Sequence, residues 1–402
     1  MTARFCRLLT NRATAILVGA CLLMLCAGSL QADIQNYNLP STSFVGWQND
    51  ACATVDRGTP TAGLVDTGSW TDTLPAGSTV TNVLVQMRAV YDGGGSSMTV
   101  RVNGTVIGSM TADGGTTCDN NSYLSVNATP GTYNVGAANT ITLTCNPAVW
   151  TIWDRDDPGF GYVRVQVTYY PPLTWDAGAG TTNWSTATNW SPDGVPTQYN
   201  IVTIPNIAIQ PTLTAASSCK NLTINVGANL SLSNQTLSVY GDWTNNGTLT
   251  AGTGAVSFVG AADSTIAGSA TTSFYYLYIN KSAATNSVFF NVNTNCTSQT
   301  HIQEGRFNMS NADTTFTQSN SNFYIESGGS VYMDAGDTLN ATAFSWYAGS
   351  TENITGGTIE VHSGGTTWTV DAGGDFTPTG GTVQFYSSST YGNAGTVSFY
   401  DL

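Results

Sequence analysis

Charge is scarce in this sequence: 11 Lys plus Arg and 25 Asp plus Glu make up 9% of 402 residues, with two histidines. Glutamate occurs four times, at Glu304, Glu326, Glu352 and Glu360. An enzyme needs ionisable or nucleophilic groups brought together, and that supply is thin here. No glycine cluster opens a helix, which excludes a Walker loop or a dinucleotide fingerprint. His301 and His362 have no Ser or Cys partner in a strained turn such as GxSxG. No two cysteines have CxxC spacing, which with so few histidines argues against zinc. Basic clusters are missing too, so nucleic acid and anionic lipid find no patch to grip.

What is present is polar and glycine-rich, with 43 glycines. Disorder is nevertheless excluded by 41% hydrophobic and 10% aromatic content. Gly and Asn suit turns, while Thr and Val suit strands, so the composition fits an extracellular all-β protein. Residues 1–32 carry Arg4, Arg7 and Arg12, an apolar run from Ala13 to Ala27, and Gly28-Ser29-Leu30-Gln31-Ala32. That layout is a secretory signal with cleavage after Ala32, and the run is short for a spanning helix. Export with no membrane span after processing is the expectation. Processing leaves 8 Lys plus Arg against 25 Asp plus Glu, a formal charge of −17 spread over loops. Five cysteines remain: Cys52, Cys118, Cys145, Cys219 and Cys296. Cys118 with Cys145 is the first disulfide candidate, Cys52 competes for either, and Cys219 and Cys296 read as buried strand residues.

The chain is organised around a phrase near its C-terminus. Thr355-Gly356-Gly357-Thr358-Ile359-Glu360-Val361 returns 24 residues later as Thr379-Gly380-Gly381-Thr382-Val383-Gln384-Phe385. Looser copies begin at Ser327-Gly328-Gly329, Glu304-Gly305, Gly254 and Gly395. Each is a glycine turn followed by a short alternating strand. One such strand cannot bury its own apolar face, whereas stacked coils cover one another, so the period reads as a parallel β-solenoid.

Taken in order, residues 33–172 hold several short strands and an Asn103-Gly104 hairpin, which suggests a β-sandwich or jelly roll. Pro171-Pro172 marks a linker. Residues 173–199 form a tryptophan cassette, Trp175-Asp176-Ala177-Gly178, Asn183-Trp184 to Asn189-Trp190, and Gly194-Val195-Pro196. Residues 200–402 carry solenoid repeats, enough for ~9 coils. The expected inward pairs are Leu222/Ile224, Leu230/Leu232, Leu237/Val239, Val256/Phe258, Tyr276/Tyr278, Val288/Phe290, Phe307/Met309, Phe323/Ile325, Val331/Met333, Ile359/Val361 and Val383/Phe385.

The cassette, together with Lys220-Asn221-Leu222-Thr223-Ile224-Asn225 and Gly241-Asp242-Trp243-Thr244-Asn245-Asn246-Gly247, resembles the β-solenoid stalks of bacterial surface proteins. Autotransporter-associated strand repeats and adhesin-like arrays are the nearest description, over about residues 173–402. The resemblance implies a β-solenoid stalk, an architecture that serves many surface roles.

Physically, Trp175, Trp184 and Trp190 suit a cap over the first coil, whose apolar end has no neighbour. The rival reading makes them, with Trp47, Trp150 and Trp153, platforms for stacking sugar rings. Asp154, Asp156 and Asp157 pack three carboxylates into one loop, and hard oxygen ligands suit Ca²⁺, the single cofactor considered. For a glycosidase or polysaccharide lyase, Glu304, Glu326, Glu360 and Asp334 would have to share one face.

The function expected is therefore an exported, non-enzymatic surface or matrix scaffold with multivalent weak contacts. Its partners would be glycans, other surface proteins or copies of itself. The alternatives are a carbohydrate-binding or polysaccharide-active protein, and a filament subunit in which Asp33 to Val45 adds a strand to a neighbour.

Overall fold

The computed structural model describes residues 32–40, 44–46, 65–91, 97–111, 123–128, 130–145, 150–152, 163–362, 365–386, 389–393 and 396–397. Trp47, Cys52, Cys118, Trp153, Asp154, Asp156, Asp157 and the signal-like segment 1–31 lie outside the described residues, as does Gly395. The Cys118–Cys145 pairing and the calcium loop therefore fall outside them as well. Trp150 opens the short strand Trp150–Ile152. Among the described residues no helix is long and apolar enough to cross a membrane.

The chain is all-β. Its N-terminal part is two facing antiparallel sheets, one ordered Asp33–Leu39, Val163–Tyr170, Thr79–Tyr91, Tyr123–Ala128, with Trp150–Ile152 on the far end of Thr79–Tyr91. The other runs Phe44–Gly46, Val65–Thr71, Ala138–Cys145, Ser97–Val102, Thr105–Thr111. Successive strands mostly alternate between the sheets, which is a jelly roll. Alternation along each strand sends Val83, Val85, Met87, Val163, Val165 and Val167 inward to meet Met98, Val100, Val102, Ile141 and Leu143. The Asn103-Gly104 turn has φ of 48° and 81°, the left-handed pair that a two-residue hairpin requires. Asp33–Leu39 pairs along its whole length with Val163–Tyr170. The segment considered for strand addition to a neighbour thus forms its strand within its own sheet.

After Pro171 the pairing becomes parallel, apart from the antiparallel contact of Leu173–Trp175 with Trp190–Ser191 inside the tryptophan cassette. The remaining strands stack in register into a three-sided β-solenoid of roughly nine coils. In each coil the chain visits a first face (for example Trp243–Asn245), a second (Thr248–Thr250) and a third (Ala255–Gly260) before rising one level. Pairs such as Val239 with Phe258 and Ile359 with Val383 set coil lengths of 19 to 24 residues. The first coil is longer, 29 residues from Leu173 to Val202, because it carries the tryptophan cassette. Inward residues from every level merge into one core running from Leu173 to Val383. Its centre is aromatic: Phe307 packs 4.2 Å from Phe290, 4.9 Å from Phe316 and 5.1 Å from Phe323.

The glycine phrase is three different corners. Gly357 and Gly381, with φ of 83° and 84°, turn from the first face to the second. Gly305 and Gly328, with φ of 102° and 90°, turn from the third to the first. Gly254 lies between a second-face and a third-face strand. The expectation of one repeated unit is corrected on this point. A three-sided coil needs a sharp bend three times per level, and each bend is followed by an alternating strand, so corners that are not equivalent read alike.

The inward pairs hold with one reversal. Tyr276 and Tyr278 point outward, and Leu277 and Ile279 fill the interior instead. Thr272–Lys281 rounds the corner between the second and third faces, and a register shift between Phe274 and Tyr276 changes the phase of its alternation.

Candidate functional site

The tryptophan cassette lies inside the fold. Trp175, Trp184 and Trp190 are each 0% exposed and pack edge to face, with centroids 5.1 Å apart for Trp175–Trp190 and 4.7 Å for Trp184–Trp190. The Trp175 indole donates to Ile209 O at 2.7 Å, and that of Trp190 to Trp184 O at 2.8 Å. A ring with no exposed face cannot stack on a sugar, which corrects the platform reading for these three residues. The twin asparagines shape the loop around them. Asn189 donates to Thr181 Oγ1 at 2.8 Å and Asn183 O at 2.9 Å, while Asn183 Oδ1 accepts from Ser185 N at 3.0 Å and Thr214 Oγ1 at 2.7 Å.

A row of outward, partly exposed rings lies instead on the third face. Register places Tyr278, His301 and Tyr324 at the same outward position in three successive coils. Alternation sends Leu277, Thr300 and Phe323 inward before them and Ile279, Ile302 and Ile325 inward after them. Because parallel coils rise ~4.8 Å, equal positions stack. His301 sits 5.2 Å from Tyr278 and 4.5 Å from Tyr324, with interplanar angles of 19° and 20°. Tyr276 stands beside the row on the same strand, 6.3 Å from Tyr278. One coil above Tyr324 the row changes to Ser345 and two coils above to Thr369, so the ladder of rings stops.

At that step an open cleft of about 630 Å³ begins, lined by His301, Tyr324, Glu326, Ser327, Tyr347, Ala348 and Asp371. Pairing of Ile325 with Trp346 and of Trp346 with Val370 puts Glu326, Tyr347 and Asp371 in one axial row at the corner that follows the third face. A phenol is thus bracketed by two carboxylates. Tyr347 is 39% exposed, and its ring lies 6.4 Å from that of Tyr324. Partial desolvation raises the Tyr347 phenol above its ordinary pKa, followed by Tyr324 and the charges of Asp371 and Glu326. The Glu326 carboxylate meets His301 Nδ1 at 2.7 Å, and the other imidazole nitrogen lies 3.3 Å from Gln299 Oε1. The cleft can offer ring faces, two carboxylates and hydroxyls to a ligand, and among the described residues no Lys or Arg lines it.

A smaller copy of this arrangement occurs on the second face. His362 stacks on Tyr386 at 4.3 Å and 8°, Glu360 Oε2 lies 3.1 Å from His362 Nε2, and the Tyr386 hydroxyl donates to Glu360 Oε1 at 3.1 Å. Each of the two histidines therefore has a tyrosine ring and a glutamate as neighbours.

The four acids expected on one face are separated by the coil geometry. Glu304 and Glu326 sit at the corner between the third and first faces, Asp334 follows a first-face strand, and Glu360 belongs to a second-face strand. A corner acid and a strand acid one coil-third apart point in different directions, which corrects the shared-face reading. Among the described residues no group of three or more His, Cys, Asp or Glu is placed to hold a metal ion. Cys219 and Cys296 are buried free thiols, and burial pushes Cys219 up to about 12. Sequence reasoning missed the ladder and Asp371. Its signal was present in Tyr276, Tyr278, His301, Tyr324 and Tyr347, a recurrence visible only once the coil lengths are known.

Comparison with known proteins adds little chemistry. A family described as "Domain of unknown function (DUF8693)" matches residues 174–273, which span the tryptophan cassette and the first coils. No curated protein matches the chain. Among solved structures, the catalytic domain of a GH87 alpha-1,3-glucanase in complex with tetrasaccharides aligns at 9% identity, covering 91% of this chain and 89% of its own, with a TM-score of 0.20. The Agl-KA catalytic domain aligns at 10% identity, covering 92% and 98%, with a TM-score of 0.18. At such TM-scores neither likeness carries an argument about fold or activity.

Proposed function

We propose that the chain is an exported, non-enzymatic surface or matrix scaffold of the adhesin-like β-solenoid kind, and that it holds a saccharide at the third-face cleft. One observation carries this reading: an outward, half-buried row of rings, ending in a cleft beside the exposed Tyr347, is fixed to a backbone stack that cannot easily rearrange. Rings positioned by a parallel ladder lose little conformational freedom on binding, so weak contacts can add along a polymer. Binding of the full chain to insoluble polysaccharides is the test. Tyr324→Ala and Tyr347→Ala should each weaken retention roughly three- to tenfold, the worth of one aromatic contact. Retention unaffected by both substitutions would remove the cleft from the proposal.

A second reading is favoured by the two carboxylates. Glu326 and Asp371 line one cleft two coils apart, ~10 Å at Cα from the coil rise. Inverting glycosidases work with carboxyl groups ~6.5–9.5 Å apart. Release of reducing ends from the bound polysaccharide, abolished by Asp371→Asn, would replace the scaffold reading with a hydrolase.

A further inference from the structure

We infer that the third-face cleft selects saccharides that carry a free amine over neutral or anionic ones. The inference rests on the proposal that a saccharide binds there, and it names the class. Its basis is charge complementarity within a formed cleft. Along the corner row a ligand meets Glu326, then the Tyr347 ring, then Asp371, while Tyr324 and His301 close the side. Glu304 lies one coil below, close under Gly328.

The bases that might neutralise this row are engaged elsewhere. Arg306 lies over the Tyr332 ring at 4.8 Å, on the first face. Lys281 is buried, donating to Val259 O at 2.8 Å and Ser264 Oγ at 3.0 Å. The His301 imidazole is held by Glu326 and Gln299.

Each ligand class meets this site differently. A sulfate, phosphate or uronate would face two carboxylates where no Lys or Arg stands among the described lining residues, and like charges across a contact exclude it. A neutral hexose gains ring stacking alone. An ammonium gains a charge-assisted hydrogen bond to either carboxylate and a contact with the phenol face. An extended chain laid along the axis meets acid, ring and acid in turn, so an amino group on successive sugars can use both acids. The ligand class is therefore a polymer of unacetylated hexosamine.

The test uses the full processed chain and three hexasaccharides of matched linkage: glucosamine, N-acetylglucosamine and glucose. Calorimetric titration should give at least tenfold tighter binding to the glucosamine oligomer, weakening as salt is raised from about 50 to about 500 mM. Glu326→Gln and Asp371→Asn should each reduce the preference about fivefold, the worth of one exposed charge pair. Asp193→Asn, an exposed acid in the tryptophan cassette, should leave the preference intact.

The chain is acidic overall, so a polycation could adhere anywhere on it. A preference that survives in the double variant Glu326→Gln/Asp371→Asn therefore overturns the inference. Equal binding of all three oligomers, or tighter binding of the acetylated one, overturns the inference and leaves the saccharide proposal standing. Failure to bind any of the three overturns both.

Discussion

Phe307→Ala is the sharpest probe of how the solenoid is held together. Phe307 is 0% exposed and touches three other phenylalanines from its own and adjacent coils. Removing a buried phenylalanine ring costs about 3–5 kcal/mol through lost transfer energy and the cavity left behind. The packing between coils is close and parallel pairing ties the coils around Phe307 together on each face, so the hole cannot collapse far, and ~4 kcal/mol is expected. Tyr324 follows later in the same coil, on the outside of its third face. Replacing it with Ala should cost no more than about 1 kcal/mol, because its ring is half-solvated and stacks on only one firm neighbour. Urea unfolding followed by tryptophan fluorescence should therefore separate the two by 1–2 M in midpoint at a slope of ~2–3 kcal/mol/M. Hydrogen exchange supplies the location. In a stack each coil contacts its neighbours alone, so protection should fall around residues 264–346 and stay unchanged in the jelly roll, which has its own core. A cost below 1 kcal/mol, or protection lost equally in both parts, would refute the stacked-coil account.

Three further outcomes can be checked on the same material. At Gly357 an added Cβ would come within 2.7 Å of Asp334 O at a φ of 83°, whereas at Gly104 it would meet nothing, so Gly357→Ala should lower the melting temperature clearly more than Gly104→Ala. Burial lowers Lys281 to about 8. Between about 8 and 10.4 the unfolded chain then holds a proton that the folded one lacks, so stability should rise with pH across that window, and Lys281→Met should flatten the rise. Burial raises Asp337 to about 6, so the folded chain keeps a proton between about 4 and 6 that the unfolded chain has lost. Stability should fall as pH climbs through that window in calorimetric scans, and Asp337→Asn should remove the dependence.

Most of the scaffold could be read from the residues, because alternation and coil stacking are local rules. Ile359 and Val361, or Leu237 and Val239, have one apolar row each and one plausible interior. The rule broke at Phe274-Tyr275-Tyr276-Leu277-Tyr278-Ile279, where every residue is apolar or aromatic and both phases look alike. A corner inside that run shifts the phase, and corners are set by long-range pairing. The same ambiguity hid the candidate site. Tyr278, His301, Tyr324 and Tyr347 are spaced 23, 23 and 23 residues apart, yet Tyr278, His301 and Tyr324 share one row while Tyr347 sits two positions further along its own coil, at the corner. Asp371 joins the cleft only because coil lengths vary between 19 and 24 residues. The tryptophans were conspicuous in composition for the opposite reason: large rings are needed to fill the wide first coil, so the most visible aromatics are the hidden ones.

Strands that lie across the long axis leave the hydrogen bonds of the ladder pointing along it. A pull from end to end therefore loads one inter-coil seam in line, and the weakest seam parts while the others hold. Each parting frees a single loop of about 60–85 Å of chain at full extension. A tether built this way would lengthen in discrete steps under load and wind up again when released, absorbing shocks that would break a rigid rod.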